Sequence, residues 1–196
     1  MKKKIAIFAS GSGSDMQSVV DGTLSGAING KVVALVTNKS GIFAIQRAEK
    51  HGIEYKTFTL GDYQNEIERD KAIIEYLKPL GVDLIVLAGY LAIVTPVLVD
   101  EYQGRIINIH PSLIPKHSGK GMYGLRVHKS VLESGDNVSG CTVHFVDYGA
   151  DTGEIIAQEQ VEVKSGDTPE SLQARVLEVE HRLLPSVVAK LCQDGK

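Results

Sequence analysis

Asn108 and His110 stand two residues apart in Asn108-Ile109-His110-Pro111-Ser112-Leu113-Ile114-Pro115, at the end of an apolar run that reads as a β-strand. Alternate side chains on a strand share a face, so these two point together. Pro111 restricts His110 to extended backbone. An amide and an imidazole presented to one spot suit an oxyanion, because the amide N–H donates a hydrogen bond and a protonated imidazole donates a stronger one. Further along, Asp151 sits in Gly149-Ala150-Asp151-Thr152-Gly153. A carboxylate beside His110 would raise the imidazole pKa and favour its charged form. Asp-x-Gly is also ordinary turn chemistry, and spacing alone leaves both readings open.

A second candidate is Ser10-Gly11-Ser12-Gly13-Ser14-Asp15, between an apolar run and an amphipathic one. Glycines let backbone approach a ligand, and a helix N-terminus presents free amides to an anion. A phosphate site is one reading; a tight strand-to-helix turn capped by Ser14 or Asp15 is the other. Met16 replaces the third glycine of a dinucleotide fingerprint, and no Lys follows as in a nucleoside-triphosphate loop. The loop therefore suits a small phosphomonoester. Asp15 would repel that ligand unless its side chain turns away as a cap. His144 alternates with apolar neighbours and reads as a satisfied, largely buried histidine. His51, His117, His128 and His181 show no ligand spacing, so no metal site is expected. Cys141 and Cys192 form no metal or redox motif and read as buried thiols of a reducing compartment.

These residues need a scaffold, and short β-branched runs alternate with amphipathic ones. Strands are predicted at 5–9, 32–37, 55–58, 84–88 and 106–110. Helices are predicted at 16–24, 42–51 and 64–77, with a short one after Pro96, a favoured first helical residue. The run at 84–88 is apolar throughout, as in a central parallel strand covered on both faces. The expected fold is α/β, a doubly wound and mostly parallel sheet whose ligands sit outside the carboxyl ends of its strands. The pattern then changes. A Gly-rich segment at 118–124 leads into a helix at 125–133. Strands at 141–146 and 155–163 suggest an antiparallel edge, and a last helix opens at Asp167-Thr168-Pro169-Glu170, capped by Asp167 or Thr168. No linker divides residues 1–196, so a single domain is expected. Hydrophobic residues make up 43% and charged residues 23%, and the formal net charge is −3. That balance is ordinary for a globular domain and argues against a nucleic-acid or anionic-membrane partner. The opening Met-Lys-Lys-Lys lacks the apolar stretch of a signal peptide, so a cytoplasmic location is expected.

Taken together, these residues resemble the glycinamide ribonucleotide formyltransferase family. The resemblance runs through the Ser-Gly-Ser-Gly-Ser loop, Val86-Leu87-Ala88-Gly89-Tyr90-Leu91, Asn108 to Pro115, and His144-Phe145-Val146 through Asp151-Thr152-Gly153. It implies a formyltransferase variant of the doubly wound fold. The implied reaction passes a formyl group from 10-formyltetrahydrofolate, as co-substrate, to the amine of phosphoribosylglycinamide in purine biosynthesis. It further implies that Gly13, Ser14 and Asp15 hold the substrate phosphate and Glu180 the glycinamide. Leu91, Ala92, Ile93 and Val94, with Asn108, would line the folate pocket. Asn108 and His110 would polarise the formyl carbonyl, and Asp151 would keep His110 protonated. No metal is implied, and the protein would be a monomer or homodimer. The chain departs from the pattern at Ala92, where an arginine is common, and at Asp15, where asparagine is. A second common arginine is not evident at 61–66, and the 118–124 segment is longer than in many members. The nearest rival is a formyltetrahydrofolate deformylase, which carries an additional N-terminal domain for which a first strand at Ile5 leaves no room. A methionyl-tRNA formyltransferase needs an additional RNA-binding domain. A non-catalytic phosphate-binding module is the rival from another class.

Overall fold

A computed structural model describes residues 1–193. Its seven strands are β1 (Lys3–Ala9), β2 (Gly30–Thr37), β3 (Glu54–Thr57), β4 (Leu84–Leu87), β5 (Ile106–His110), β6 (Val138–Phe145) and β7 (Ile155–Glu162). Six α-helices alternate with them: α1 (Ser14–Ser25), α2 (Phe43–Lys50), α3 (Glu66–Leu77), α4 (Pro96–Glu101), α5 (Leu125–Glu133) and α6 (Pro169–Gln193). The strands form one sheet in the order β3-β2-β1-β4-β5-β6-β7. The first five are parallel, and β6 pairs antiparallel with both β5 and β7. The expected doubly wound sheet with an antiparallel edge is present.

The continuous apolar runs are explained by two cores. Ile5, Ile7 and Ala9 of β1 pack on one face with Met16, Val19, Val176 and Leu184. Ala6 and Phe8, on the other face, pack with Ile73, Leu77 and Leu98. A strand covered on both faces has no polar side to alternate with.

Most element ends fall within a residue or two of expectation, the ordinary scatter where end turns fray. The exception is β6, which starts at Val138, three residues earlier than read. Gly140 and Ser139 weaken the strand signal there, but pairing with Val161 and Gln160 of β7 overrides it. The reciprocal cap at the last helix is made by Thr168: the Ser171 amide donates to its hydroxyl at 3.2 Å, and the Ser171 hydroxyl accepts from its amide at 2.9 Å. Asp167 instead binds Arg175 at 2.7 Å. At α1, neither Ser14 nor Asp15 is a cap. Gly13 holds that position at φ 69°, with no side-chain cap bond. A Cβ there would lie 2.7 Å from Cβ of Ala44, so both the left-handed backbone and the packing of α2 demand glycine. Cys141 and Cys192 are buried free thiols.

A buried ion pair fastens α3 to the segment after β4. Arg69 and Asp70 are each about 2% exposed or less and meet at 2.6 Å. Asp70 accepts the Thr95 amide at 2.7 Å, and Arg69 donates to the Ile93 carbonyl. Removing one partner of a buried pair leaves an uncompensated charge, at a cost of about 3–5 kcal/mol. Asp70→Ala is therefore expected to lower the urea unfolding free energy by about that amount. Arg182→Ala, which breaks the exposed pair with Glu159, is expected to leave the unfolding midpoint nearly unchanged. Equal effects from the two variants would contradict this assignment.

Candidate active site

The carboxyl ends of β1, β4 and β5 open onto a cavity of about 450 Å³ whose walls include Gly13, Ser14, Asp15, Leu91, Asn108, His110, Asp151 and Glu180. This is where an open parallel sheet places its ligands. Of residues 91–94, Leu91 lines the cavity, while Ile93 is anchored through its carbonyl to Arg69. Ser10, which the reading of the loop passed over, joins the two sides of the opening. Its hydroxyl accepts the Leu91 amide at 2.8 Å and donates to Asn38 at 2.6 Å.

The Gly/Ser loop is held from behind by α2. The Ala44 amide donates to the Gly11 carbonyl at 3.2 Å, and Arg47 Nε donates to the Ser12 carbonyl at 2.9 Å. The first intrahelical bond of α1 runs from the Gln17 amide to Gly13 at 2.9 Å. The amides of Ser14, Asp15 and Met16 thus have no partner within the helix, and the positive end of the helix dipole faces the cavity.

At the chemical centre, antiparallel register sets Asn108 opposite His144 and His110 opposite Thr142. Asn108 Nδ2 lies 3.1 Å from His144 Nε2 and 3.3 Å from Asp151 Oδ1. His144 Nδ1 lies 2.7 Å from its neighbour's carbonyl, that of Phe145. A carbonyl only accepts, so Nδ1 carries a proton; Nε2 accepts from Asn108 in the neutral ring and, in the charged ring, presents a second proton toward Asp151 Oδ1 at 3.6 Å. By the same argument His110 Nε2, 2.9 Å from the His117 carbonyl, carries a proton. Its Nδ1 faces Asp151 Oδ2 at 3.5 Å, so the second proton, the one that charges the ring, arrives at Nδ1. Asp151 Oδ2 also accepts the Gly119 amide at 2.9 Å. Asp151 itself has φ 59°, within the left-handed region that aspartate tolerates better than most residues.

Several supporting residues escaped sequence reading. His144 is buried and satisfied, as expected, yet its partner is Asn108. His117, dismissed for lack of ligand spacing, acts through its carbonyl. Its ring is fixed by Ser130 at 2.8 Å and Asp136 at 2.9 Å. Thr142 holds the turn after His110, donating to the Ser112 carbonyl at 2.6 Å and accepting the Ile114 amide at 3.1 Å. The one available signal was the strand period placing Thr142 and His144 on a common face; which face that is depends on a register that local spacing does not encode.

Burial governs the charge states. It holds His110 below the ordinary histidine value, against the opposing pull of Asp151 and the His117 carbonyl. The Asp151 carboxylate pulls His110 toward its charged form, while burial pulls it more strongly toward the neutral one. Burial likewise works to raise Asp151, but His144, His110 and the Gly119 amide together bring it below the usual carboxylate range. Burial lowers His128, also on the wall, to about 4. Burial pushes Asp15 up to about 6, and burial together with Asp15 raises Glu180 well above its ordinary value. Among the described residues, no group of three or more His, Cys, Asp or Glu side chains is arranged to hold a metal ion.

The sign of the Asp151 effect can be measured directly. Asp151→Asn removes the carboxylate that favours the charged ring, so the His110 pKa is expected to fall further in an NMR titration of the imidazole resonances. An unchanged or higher value would show that Asp151 does not act on Nδ1.

Comparison with known proteins gives the family and the fold. Residues 3–188 match the formyl transferase family. The phosphoribosylglycinamide formyltransferase of Haemophilus influenzae is 40% identical over 95% of this chain and 85% of its own length. The chloroplastic phosphoribosylglycinamide formyltransferase of Arabidopsis thaliana is 43% identical over 98% of this chain, which spans 66% of that relative's length. The crystal structure of phosphoribosylglycinamide formyltransferase from Bacillus halodurans superposes with a TM-score of 0.93 at 36% identity, covering 99% of this chain and 97% of that one. A family match over nearly the whole chain, the shared fold and a polar centre at the carboxyl edge of the sheet lead to one conclusion: this chain belongs to the formyl transferase family.

Proposed function

We propose that this chain transfers the formyl group of 10-formyltetrahydrofolate to the amine of 5′-phosphoribosylglycinamide, as a step of purine biosynthesis. The observation that carries the reading is that the Asn108/His110/Asp151 centre, the loop amides and Glu180 line one cavity. An anion site and an oxyanion site so joined suit an acceptor with a phosphate at one end and a nucleophile at the other. Gly13, Ser14 and Asp15 are assigned to the phosphate and Glu180 to the glycinamide. Leu91 is assigned to the folate wall, with Ala92, Ile93 and Val94 continuing that segment.

In this scheme the neutral amine attacks the formyl carbon, forming a C–N bond and a tetrahedral intermediate. The developing oxyanion meets the Asn108 amide and His110, which becomes the stronger donor when protonated at Nδ1. Both Asn108 amide hydrogens and both His110 ring nitrogens face partners, so the oxyanion competes with Asp151 for an Asn108 hydrogen and with Asp151 or the His117 carbonyl for a His110 one. The amine gives up one proton, the folate nitrogen takes one as its C–N bond breaks, and Asp151 with His110 Nδ1 supplies the route. No metal is invoked. We assign residues 1–196 to one catalytic domain of a monomer or homodimer acting in the cytoplasm on small molecules, with no nucleic-acid or membrane partner. No helix among the described residues is long and apolar enough to cross a membrane.

Loss of an oxyanion donor costs about two orders of magnitude or more in turnover. Asn108→Ala and His110→Ala are expected to lose that much in a spectroscopic assay of folate deformylation while remaining folded by circular dichroism. Deformylation is expected to require phosphoribosylglycinamide. Loss of formyl without the amine would assign a hydrolase instead, and near-normal turnover in either variant would remove these residues from the mechanism.

A further inference from the structure

Asp15 and Glu180 come from different elements, the first turn of α1 and the middle of α6, and both line the proposed acceptor cavity beside the free amides of the loop. Asp15 Oδ1 is buried with no hydrogen-bond partner. His181 Nε2, likewise buried and unpartnered, lies 3.7 Å from it. Glu180 is 7% exposed. Among the described residues neither carboxyl group is ion-paired with a Lys or Arg. The other titratable neighbours do not supply the missing charge. Arg47 of α2 is turned to the Ser12 carbonyl and Gln17. His181 is held below the ordinary value by burial and by Arg47. The Cys141 thiol of β6 is pushed up by burial and by Glu180.

Two largely buried carboxyl groups without a Lys or Arg partner, next to amides that face an anion, are in conflict unless they carry protons. A phosphate ester on the Ser14 and Asp15 amides would add negative charge beside them. Building on the phosphate role assigned to the loop, we propose that Asp15 and Glu180 form a proton-linked gate: the phosphorylated acceptor binds the form in which this pair has taken up a proton, and a protonated carboxyl donates a hydrogen bond to the phosphate. Asparagine at position 15 would offer a donor at every pH; aspartate makes donation conditional on a proton. Burial already brings both groups toward protonation, so the phosphate need complete only part of the change. By linkage, affinity falls about tenfold per pH unit for each proton taken up, once the free pair has lost it.

The test is isothermal titration calorimetry at pH 7.5 in buffers of different ionisation enthalpy, which counts protons exchanged on binding. Phosphoribosylglycinamide is titrated into the wild-type protein, Asp15→Asn and Glu180→Gln. Wild type is expected to take up about one proton more per acceptor bound than Asp15→Asn, and its affinity is expected to weaken with rising pH more steeply than that variant's. Equal proton counts and parallel pH profiles would overturn the gate. Should Asp15→Asn fold poorly, Glu180→Gln changes the same pair from α6 and is likewise expected to reduce the uptake. Should the acceptor bind none of the proteins, the acceptor assignment fails, and inorganic phosphate then tests the gate by itself. An uptake lost in the variants would uphold it; no difference, or no binding, would overturn it.

Discussion

Asp151 is one partly buried carboxylate with four partners from three parts of the chain, and the chemical centre is organised around it. One oxygen accepts from Asn108 and approaches His144; the other accepts the Gly119 amide and faces His110. The carboxylate therefore connects the end of β5, the end of β6 and the Gly-rich segment before α5. Its backbone sits in the left-handed region, a conformation maintained because the surrounding hydrogen bonds over-determine it. The register of β6 on β5 is what brings these parts together, since it pairs His144 with Asn108 and starts the loop to Asp151 beside that pair.

The same tactic recurs around the opening. Arg69 and Asp70 are buried outside the cavity wall, but their hydrogen bonds hold the backbone between Ile93 and Thr95. Ser10 ties the ends of β1 and β4. His117 presents its carbonyl to His110 because its ring is clamped between α5 and the turn before β6. A loop carrying binding groups has little apolar area with which to hold itself, so buried polar contacts to rigid elements fix its shape.

Charge in the cavity follows burial more than pairing. Desolvation disfavours the charged form of four groups on the wall, lowering His110 and His128 and raising Asp15 and Glu180. Asp151 is the exception, because three neighbours compensate it. What such a cavity offers an anionic ligand is chiefly dipolar: backbone amides, an amide side chain and a helix terminus.

Much of this was legible from residue order alone. The alternation of apolar runs specified a doubly wound sheet because a strand covered on both faces and a helix covered on one leave different periodicities. Asn108 and His110 were legible as a pair because their relation is local: a period of two places them on one face whatever else the chain does. Gly13 to Asp15 were legible as a loop opening a helix, but which residue occupies the cap position was not. Gly13 holds that position with a left-handed backbone and with Ala44 packed against it. The remainder rested on contacts between distant segments. Position 144 reads as a buried histidine until the register of β6 on β5 puts it opposite Asn108. Asp151 reads equally as turn or carboxylate partner until the sheet brings its loop over His110. Asp15 and Glu180 share a cavity only because α6 returns across α1. Local periodicity decides which way a side chain faces; what it faces depends on packing between segments far apart in sequence, and that only the tertiary structure decides.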